Sequence, residues 1–271
     1  MTKKLWEASL NQKKKSNLFD FENFVSKKLN KKFGRNYNEL LDWSIKNSPD
    51  FWNYFWDYSK IIGIKSKQKI KRSKKFYKNL FLPGSKLNFG ENLLPKNNLD
   101  KAITFISENG FREQKTWKQL NLSTSKIIKF LRKINIKKGD RVVAYMPNTI
   151  ETVEAFIASS SIGSIWSSCS PDFGIRGVVE RFSQINPKVL FITDQYFYNG
   201  KKINILERLP EILKFIPSIK NVVVVNYPGK RLMKKFRKLK KIKLFRWNEL
   251  MKISSERTNF KKFDFENELA I

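Results

Sequence analysis

The sequence contains no histidine and a single cysteine, Cys169, in 271 residues. Without histidine there is no Ser-His-Asp triad, no Cys-His couple and no imidazole-bound zinc, because each needs an imidazole as base or ligand. One thiol can form neither an internal disulfide nor a four-thiolate metal site. Cysteine usage of this kind is typical of a reduced intracellular protein, so we expect a cytoplasmic location.

Long apolar runs are missing as well. No apolar stretch approaches the roughly 20 residues that a membrane helix needs. The start of the chain, MTKKLWEASLNQKKK, is charged but has no hydrophobic segment behind it. We therefore expect no membrane partner. Apolar residues still make up 41% of the sequence, too many for a disordered polycation, so the composition predicts one large or two modest domains.

Acidic residues are scarce beside basic ones: 24 Asp and Glu stand against 55 Lys and Arg, a net charge of +31. The basic clusters lie at 13–15, 65–75 and 229–243 and consist mostly of lysine. They lack the aromatic interleaving of base-stacking surfaces, which favours a solvated surface over a nucleic-acid footprint. We expect no nucleic-acid partner, and steeply salt-dependent retention on DNA would contradict this.

The first 98 residues predict a mainly helical extension. Residues 37–59 predict two short helices separated at Ser48-Pro49, since proline disfavours a helical conformation in the preceding residue and suits the first turn of a new helix. In the second helix, Phe51, Phe55 and Tyr58 fall on one face. Such an aromatic stripe is typical of core packing or of a docking surface, and less often of a ligand cage.

From about residue 99 onward, short apolar strands alternate with helices. Thr116 and Gln119 form a capping-box pattern at the start of the first helix. The predicted strands are 102–107, 141–146, 164–168, 188–193 and 221–225, and further helices are predicted at 149–161, 175–184 and 205–215. The alternation predicts an α/β domain of Rossmann-like βαβ units, with helices on both faces of a parallel sheet. Ligands of such sheets bind at the carboxyl ends of the strands, so function is expected in the loops there.

The first candidate loop lies in the string WSSCSPDFG and ends in Asp172, Phe173 and Gly174, just before a predicted helix. Free backbone N–H groups at a helix start can bind an anion, although serines in this position more often act as caps. Cys169 is a weak candidate nucleophile, because no histidine is present to activate it.

The second candidate segment follows Thr193 and runs from Asp194 to Lys202, with Tyr198, Asn199, Gly200 and Lys201 near its end. A tyrosine that can stack beside a glycine and two lysines suits a phosphate-bearing nucleotide, and the alternative is an exposed turn between a strand and a helix. The sequence has no Walker-type motif, no G-x-G-x-x-G after a strand and no metal-ligand spacing. The residues alone therefore indicate two phosphate-binding loops and no recognisable catalytic set.

A series of short strings, in order along nearly the whole chain, resembles the acetoacetyl-CoA synthetases, acid–thiol ligases of the adenylate-forming (AMP-binding) superfamily. The most specific strings are LNFGENLL at 87–94 and WSSCSPDFG at 166–174, and others are GDRV at 139–142, MPN at 146–148 and YNGK at 198–201. The resemblance implies an N-terminal extension at 1–98, followed by an incomplete AMP-binding domain at 99–271 with the fold of the adenylate-forming enzymes.

The resemblance also implies a reaction and its ligands. The expected enzyme makes acetoacetyl-CoA from ATP, acetoacetate and CoA through an acyl-adenylate, and it uses Mg²⁺. The resemblance implies that Asp172, Phe173 and Gly174 lie along the path of the CoA pantetheine arm. It further implies that the segment from Tyr198 to Lys201, with Asn199 and Gly200, lies where related enzymes bind the phosphates of the CoA nucleotide with two arginines. Lys201 would meet a phosphate as a point charge.

Other parts of the family pattern have no counterpart in these 271 residues. The phosphate loop, the adenine and Mg²⁺ motifs and the adenylation lysine are expected beyond a strand that residues 268–271 begin. We therefore expect no catalytic residue in this chain and no adenylation by the chain alone. The alternatives are a non-catalytic CoA-side binding module, half of a split synthetase with a separately encoded C-terminal half, and an acetyl- or propionyl-CoA synthetase-like ligase.

Overall fold

The computed structural model describes residues 5–34, 37–227, 241–255 and 258–271. The chain divides into two units, Met1–Lys86 and Leu87–Ile271. The assignment of domains to 1–98 and 99–271 stays a prediction. Most of the lysine cluster at 229–243 lies outside the described residues. No helix in the described part of the chain is both long and apolar enough to cross a membrane.

Short helices dominate the first unit. Two of them are separated at Asn47, and Pro49 lies in the first turn of the second, as the sequence predicts. The aromatic stripe on this helix serves packing: the ring centroids of Phe51 and Tyr58 lie 5.6 and 5.1 Å from that of buried Phe21. The elements are α1 (Leu10–Lys14), α2 (Asn17–Leu29), α3 (Tyr37–Lys46), α4 (Ser48–Tyr58), β1 (Gly63–Ile64), β2 (Ile70–Lys71) and β3 (Leu80–Phe81), with β4 (Lys86–Leu87) at the boundary of the units.

The second unit alternates strands and helices. Thr116 caps the long helix that begins at Trp117, and the predicted capping box with Gln119 is confirmed. The elements are α5 (Phe89–Asn92), β5 (Lys101–Ile106), β6 (Arg112–Thr116), α6 (Trp117–Lys133), β7 (Arg141–Tyr145), α7 (Ile150–Ser161), β8 (Ile165–Cys169), α8 (Ile175–Phe182), β9 (Val189–Thr193), β10 (Gln195–Tyr198), β11 (Lys201–Asn204), α9 (Leu209–Phe215), β12 (Asn221–Val225), β13 (Lys243–Arg246), α10 (Trp247–Leu250) and β14 (Phe263–Asp264).

Five strands form a parallel sheet in the order β13-β12-β9-β7-β8. The chain runs outward from β7 to β8 and then returns past β7 to β9. This reversal places the topological switch point, the usual ligand crevice of open α/β sheets, at the carboxyl ends of β7 and β9. At the outer edge of β8, Trp166 forms a parallel bridge with Ala270, so residues near the end of the sequence begin to pair as predicted.

Residues alternate between the two faces of the sheet, and each face has its own helices. On β7, Val142 and Ala144 pack in one cluster with residues of α6, α7 and α10, while Val143 and Tyr145 pack in another with residues of α8 and α9. All five residues of β9 are buried, as expected for a strand covered on both sides. The predicted α/β class, with a parallel sheet between helices, is confirmed.

Two predicted elements differ from the structure. The strand predicted at 102–107 is β5, which pairs antiparallel with β6 in a hairpin and lies outside the parallel sheet. Its partner was not predicted because the sequence REQKT contains no apolar residue to alternate. The helix predicted at 205–215 is a single 3₁₀ turn, Leu206–Arg208, followed by α9, since Pro210 lies in the first turn of α9.

Candidate functional site

A cavity of about 270 Å³ opens at the carboxyl ends of β7 and β8, beside the switch point. Three segments line it: residues 146–148 and 152 between β7 and α7, residues 168–172 after β8, and residues 196–198 in β10. This is the edge of the sheet at which the sequence predicts ligand binding. The two predicted segments therefore contribute to one cavity.

Asp172 is the centre of a hydrogen-bonded turn in the first candidate loop. The hydroxyl of Ser170 donates to Asp172 Oδ2 at 2.8 Å, and the hydroxyl of Tyr196 donates to Asp172 Oδ1 at 2.7 Å. Burial, followed by the hydrogen bond and the negative charge of Asp172, raises the pKa of Tyr196 to about 12. The phenol therefore stays a donor at neutral pH, and the carboxylate ties the loop to β10.

The backbone of the same loop is held by Tyr145 and Arg208. The side chain of Tyr145, the last residue of β7, is fully buried, and its hydroxyl donates to the carbonyl of Phe173. Nη1 of Arg208 donates to the carbonyls of Phe173 and Pro171, at 3.0 and 3.2 Å, and to the Tyr145 hydroxyl. Burial raises the pKa of Tyr145, although Arg208 opposes the shift.

The ring of Phe173 lies against α8. The guanidinium carbon of Arg181 lies 4.2 Å from its centroid, within the range of a cation–π contact. A Cβ added at Gly177 would come within 3.1 Å of the ring, so the glycine leaves room for it. Gly174 occupies the N-cap position of α8 without a side-chain cap and has open space around it.

The second candidate segment contains β10 and the tip of the β10–β11 hairpin. Tyr198 lies opposite Lys201, and Asn199 and Gly200 between them have φ of 49° and 72°. Positive φ at both central residues is characteristic of a two-residue type I′ turn. The alternative interpretation, an exposed turn, fits the tip, although the turn joins two strands and not a strand and a helix, because β11 follows it directly. The Asn-Gly pair was the sequence signal for this hairpin.

The strand pairing decides which side chains share a face of the hairpin. Tyr198 and Lys201 are opposite each other and share one face, whereas Phe197 and Lys202 are opposite each other and share the other. Tyr198 is 62% exposed and lines the cavity; Lys201 is exposed and lies outside the lining. Gly200 N–H donates to a carboxylate oxygen of Glu108 at 3.3 Å, so a negative charge is already present at the tip.

The structure thus brings together only part of the predicted set. Asp172 and Tyr198 line the cavity, and the other predicted residues lie beside it: Phe173, Gly174, Asn199, Gly200 and Lys201. Tyr145 and Arg208 were not predicted, and Tyr196 lies in the second candidate segment but had no role assigned to it. No local pattern points to them, because their partners are carbonyls and a carboxylate at least 24 residues away in the sequence.

The chemistry available here is that of a binding surface. Among the described residues, no three His, Cys, Asp or Glu side chains are grouped so that they could hold a metal ion. Burial raises the pKa of the Cys169 thiol, and the nearby charge of Arg181 opposes this only in part. A protonated thiol is a poor nucleophile. Hydroxyl-bearing residues line the cavity beside Asp172, and this lining suits an uncharged polar segment of a ligand: Thr152, Ser168, Ser170, Tyr196 and Tyr198.

Residues 96–252 match the family described as AMP-binding enzyme. Over 200 residues, the chain is 42% identical to the acetoacetyl-CoA synthetase of Gallus gallus. The matched region covers 72% of this chain and 30% of that protein. The corresponding protein of Xenopus tropicalis is 40% identical over 219 residues, or 79% of this chain and 32% of its own length. This chain therefore spans about a third of the length of these curated relatives.

The solved structure of acetoacetyl-CoA synthetase from Streptomyces lividans matches the fold. Its TM-score is 0.85 at 23% sequence identity, and the match covers 99% of this chain and 41% of that one. The likeness extends to the α/β architecture and to the helical region that precedes it.

Proposed function

The chain belongs to the AMP-binding enzyme family, and from this premise we propose that it corresponds to the N-terminal part of an acetoacetyl-CoA synthetase. The proposal rests on the 42% identity to the Gallus gallus synthetase over most of this chain. The strings LNFGENLL and WSSCSPDFG support it. Because the chain spans 30% of that relative, the activity, the substrates and a cytoplasmic location are all parts of the proposal.

In the proposed reaction, a carboxylate oxygen of acetoacetate attacks the α-phosphorus of ATP, and pyrophosphate leaves. The sulfur of CoA then attacks the acyl carbon and loses its proton, and AMP leaves with the electron pair of the broken carbon–oxygen bond. The residues of this chain do not fit the ATP and Mg²⁺ part of the reaction. The sequence has no phosphate-loop motif, and its described residues hold no metal-binding cluster.

The residues present fit the CoA part better. A cavity lined by hydroxyl-bearing residues suits the uncharged amide chain of pantetheine, and the backbone of Asp172, Phe173 and Gly174 would lie along that chain. Lys201 would meet a phosphate of the nucleotide as a point charge, on the same face of the hairpin as the exposed ring of Tyr198. When bound, CoA supplies the thiol, and this chain holds and orients its arm.

Calorimetric titration of the isolated chain with CoA and with dephospho-CoA tests this assignment. We expect CoA to bind more tightly, since dephospho-CoA lacks the 3′-phosphate that a lysine would contact. Equal affinity for the two compounds would contradict a contact between the hairpin tip and the 3′-phosphate. An absence of binding to either compound would contradict the proposed function.

The catalytic part of the proposal is tested by acetoacetate-dependent exchange of pyrophosphate into ATP. We expect no exchange by the isolated chain. A split synthetase predicts that the protein encoded immediately downstream restores exchange when mixed with this chain, with acetate and propionate as competing substrates. A chain that binds CoA but gives no exchange, either alone or mixed with the downstream protein, fits the non-catalytic binding module instead.

A further inference from the structure

One guanidinium nitrogen donates hydrogen bonds to three oxygen atoms that lie in two distant segments of the chain. Nη1 of Arg208, at the end of the 3₁₀ turn, donates to the carbonyls of Pro171 and Phe173 and to the hydroxyl of Tyr145. Because Nη1 has two hydrogens, the three acceptors share them. The contact therefore fixes two carbonyl groups of residues 170–174 relative to the end of β7.

Arg208 makes these contacts without an ion pair. Within the described residues, no carboxylate lies at salt-bridge distance from it. Asp172 lies between the two bound carbonyls in the sequence, but its oxygens accept from Ser170 and Tyr196. The charge of Arg208 is thus stabilised by carbonyl dipoles, which form charge-assisted hydrogen bonds.

We propose that Arg208 is the positioning residue of the loop at 170–174, because it holds the Pro171 and Phe173 carbonyls so that Asp172 meets Tyr196 and the cavity keeps its shape. The consequence for ligand binding rests on the proposed function, in which the cavity takes the CoA arm. The effect on the loop does not depend on that function, so the two can be tested separately.

The single cysteine provides a direct probe. Cys169 immediately precedes the loop, is 3% exposed and lines the cavity. A thiol reagent reaches it in the native protein only when the structure opens around it. The labelling rate therefore measures the population of the open loop, provided that global unfolding is measured in parallel by urea denaturation.

Three substitutions separate charge from geometry. Arg208→Lys keeps the charge but loses the planar fork, Arg208→Gln keeps a neutral amide donor, and Arg208→Met keeps little more than the stem. We expect Arg208→Met to raise the Cys169 labelling rate by about tenfold, which corresponds to about 1.4 kcal/mol and lies near the lower end for a charged hydrogen bond. Lysine and glutamine should give smaller increases.

The matched control is Arg132→Met, which removes an exposed arginine at the end of α6 and should leave the rate unchanged. An unchanged rate in Arg208→Met would overturn the proposal. So would a rate that rises only as much as the global unfolding equilibrium does, since that would reveal a general contribution to stability with no specific hold on the loop.

The binding measurement uses CoA and the same variants. We expect desulfo-CoA, which has no thiol to consume the reagent, to slow labelling of wild-type Cys169. We also expect Arg208→Lys to bind CoA several-fold more weakly in calorimetric titration, although its charge is retained. If the wild type does not bind CoA, the proposed function fails, and the labelling rates still decide the role of Arg208. If Arg208→Lys both labels and binds as the wild type does, charge alone accounts for Arg208 and the positioning role is wrong.

Discussion

The two segments at the carboxyl edge of the sheet are built in opposite ways. Residues 170–174 have no regular secondary structure, yet Tyr145, Tyr196 and Arg208 hold their backbone and the Asp172 carboxylate. Residues 198–201 form a regular type I′ hairpin, yet the Tyr198 side chain is 62% exposed. Fixed geometry at this edge therefore comes from hydrogen bonds between distant segments, while regular backbone structure leaves the side chains free for a ligand.

The largest effect should come from truncating Tyr145, which holds the loop, in comparison with Tyr198 of the hairpin tip. Tyr145→Ala removes a fully buried ring and is expected to lower the free energy of unfolding by about 3–5 kcal/mol. Tyr198→Ala should change it by no more than about 0.5 kcal/mol. Urea denaturation checks both values, and similar losses at the two positions would contradict the comparison. Tyr145→Phe, which keeps the ring, isolates the contribution of the hydroxyl.

The β5–β6 hairpin extends the comparison to a hairpin that contacts a buried ionisable group, the Glu154 carboxyl. Lys115 Nζ lies 2.7 Å from Glu154 Oε1, and Ser123 donates to the same carboxyl group, whose Oε2 has no hydrogen-bond partner among the described residues. Burial raises the pKa of Glu154 to about 7, against the opposing effects of Lys115 and Ser123. Ionisation of this carboxyl in the folded protein is therefore unfavourable.

Because this pKa is higher in the folded protein, the contribution of Glu154 to stability is complete below its unfolded value and disappears as the pH rises through about 7. Glu154→Gln should change stability little at pH 5. At pH 8 it should be about 2 kcal/mol more stable relative to the wild type than at pH 5. Urea denaturation at the two pH values measures this. Glu180→Gln, at the exposed partner of Arg176, is the control and should show no such dependence.

The same glycine substitution in the two segments should differ in size. Gly200 has φ of +72°, so Gly200→Ala should cost about 1 kcal/mol in backbone strain. Gly174 has φ of −67° and open space around it. There the loss of unfolded-state entropy in Gly174→Ala offsets the poorer N-cap that alanine provides, so the change should stay within about 0.5 kcal/mol. Urea denaturation measures both changes, and a loss at Gly174 as large as that at Gly200 would show that this loop needs glycine.

The smallest effect should appear in ligand affinity at the hairpin tip. Lys201→Met is expected to weaken CoA binding about threefold, the usual size of an exposed charge contact. Lys202→Met is the matched control, since Lys202 lies on the other face, opposite Phe197. Glu108→Gln should strengthen binding, because it removes a carboxylate that accepts from Gly200 N–H. Equal losses for the two lysines would indicate general electrostatic attraction.

The central strands could be predicted because buried parallel strands are continuous apolar runs, as in Val189–Thr193 and Asn221–Val225. The start of α6 could be predicted from a local cap. The polar strand β6 could not, since it has no apolar alternation. Arg208 could not be predicted either, because its partners are backbone carbonyls, which every residue type provides.

The strand order also constrains the sequence of folding events. Val142 of β7 pairs with Val189 of β9, so closing the centre of the sheet also closes a long loop that contains α7, β8 and α8. The hairpin of β10 and β11 joins neighbours and can form within microseconds. During synthesis, residues 170–174 leave the ribosome well before Arg208. The hairpin tip can therefore reach its final shape on its own, whereas the loop must wait for the chain that follows it.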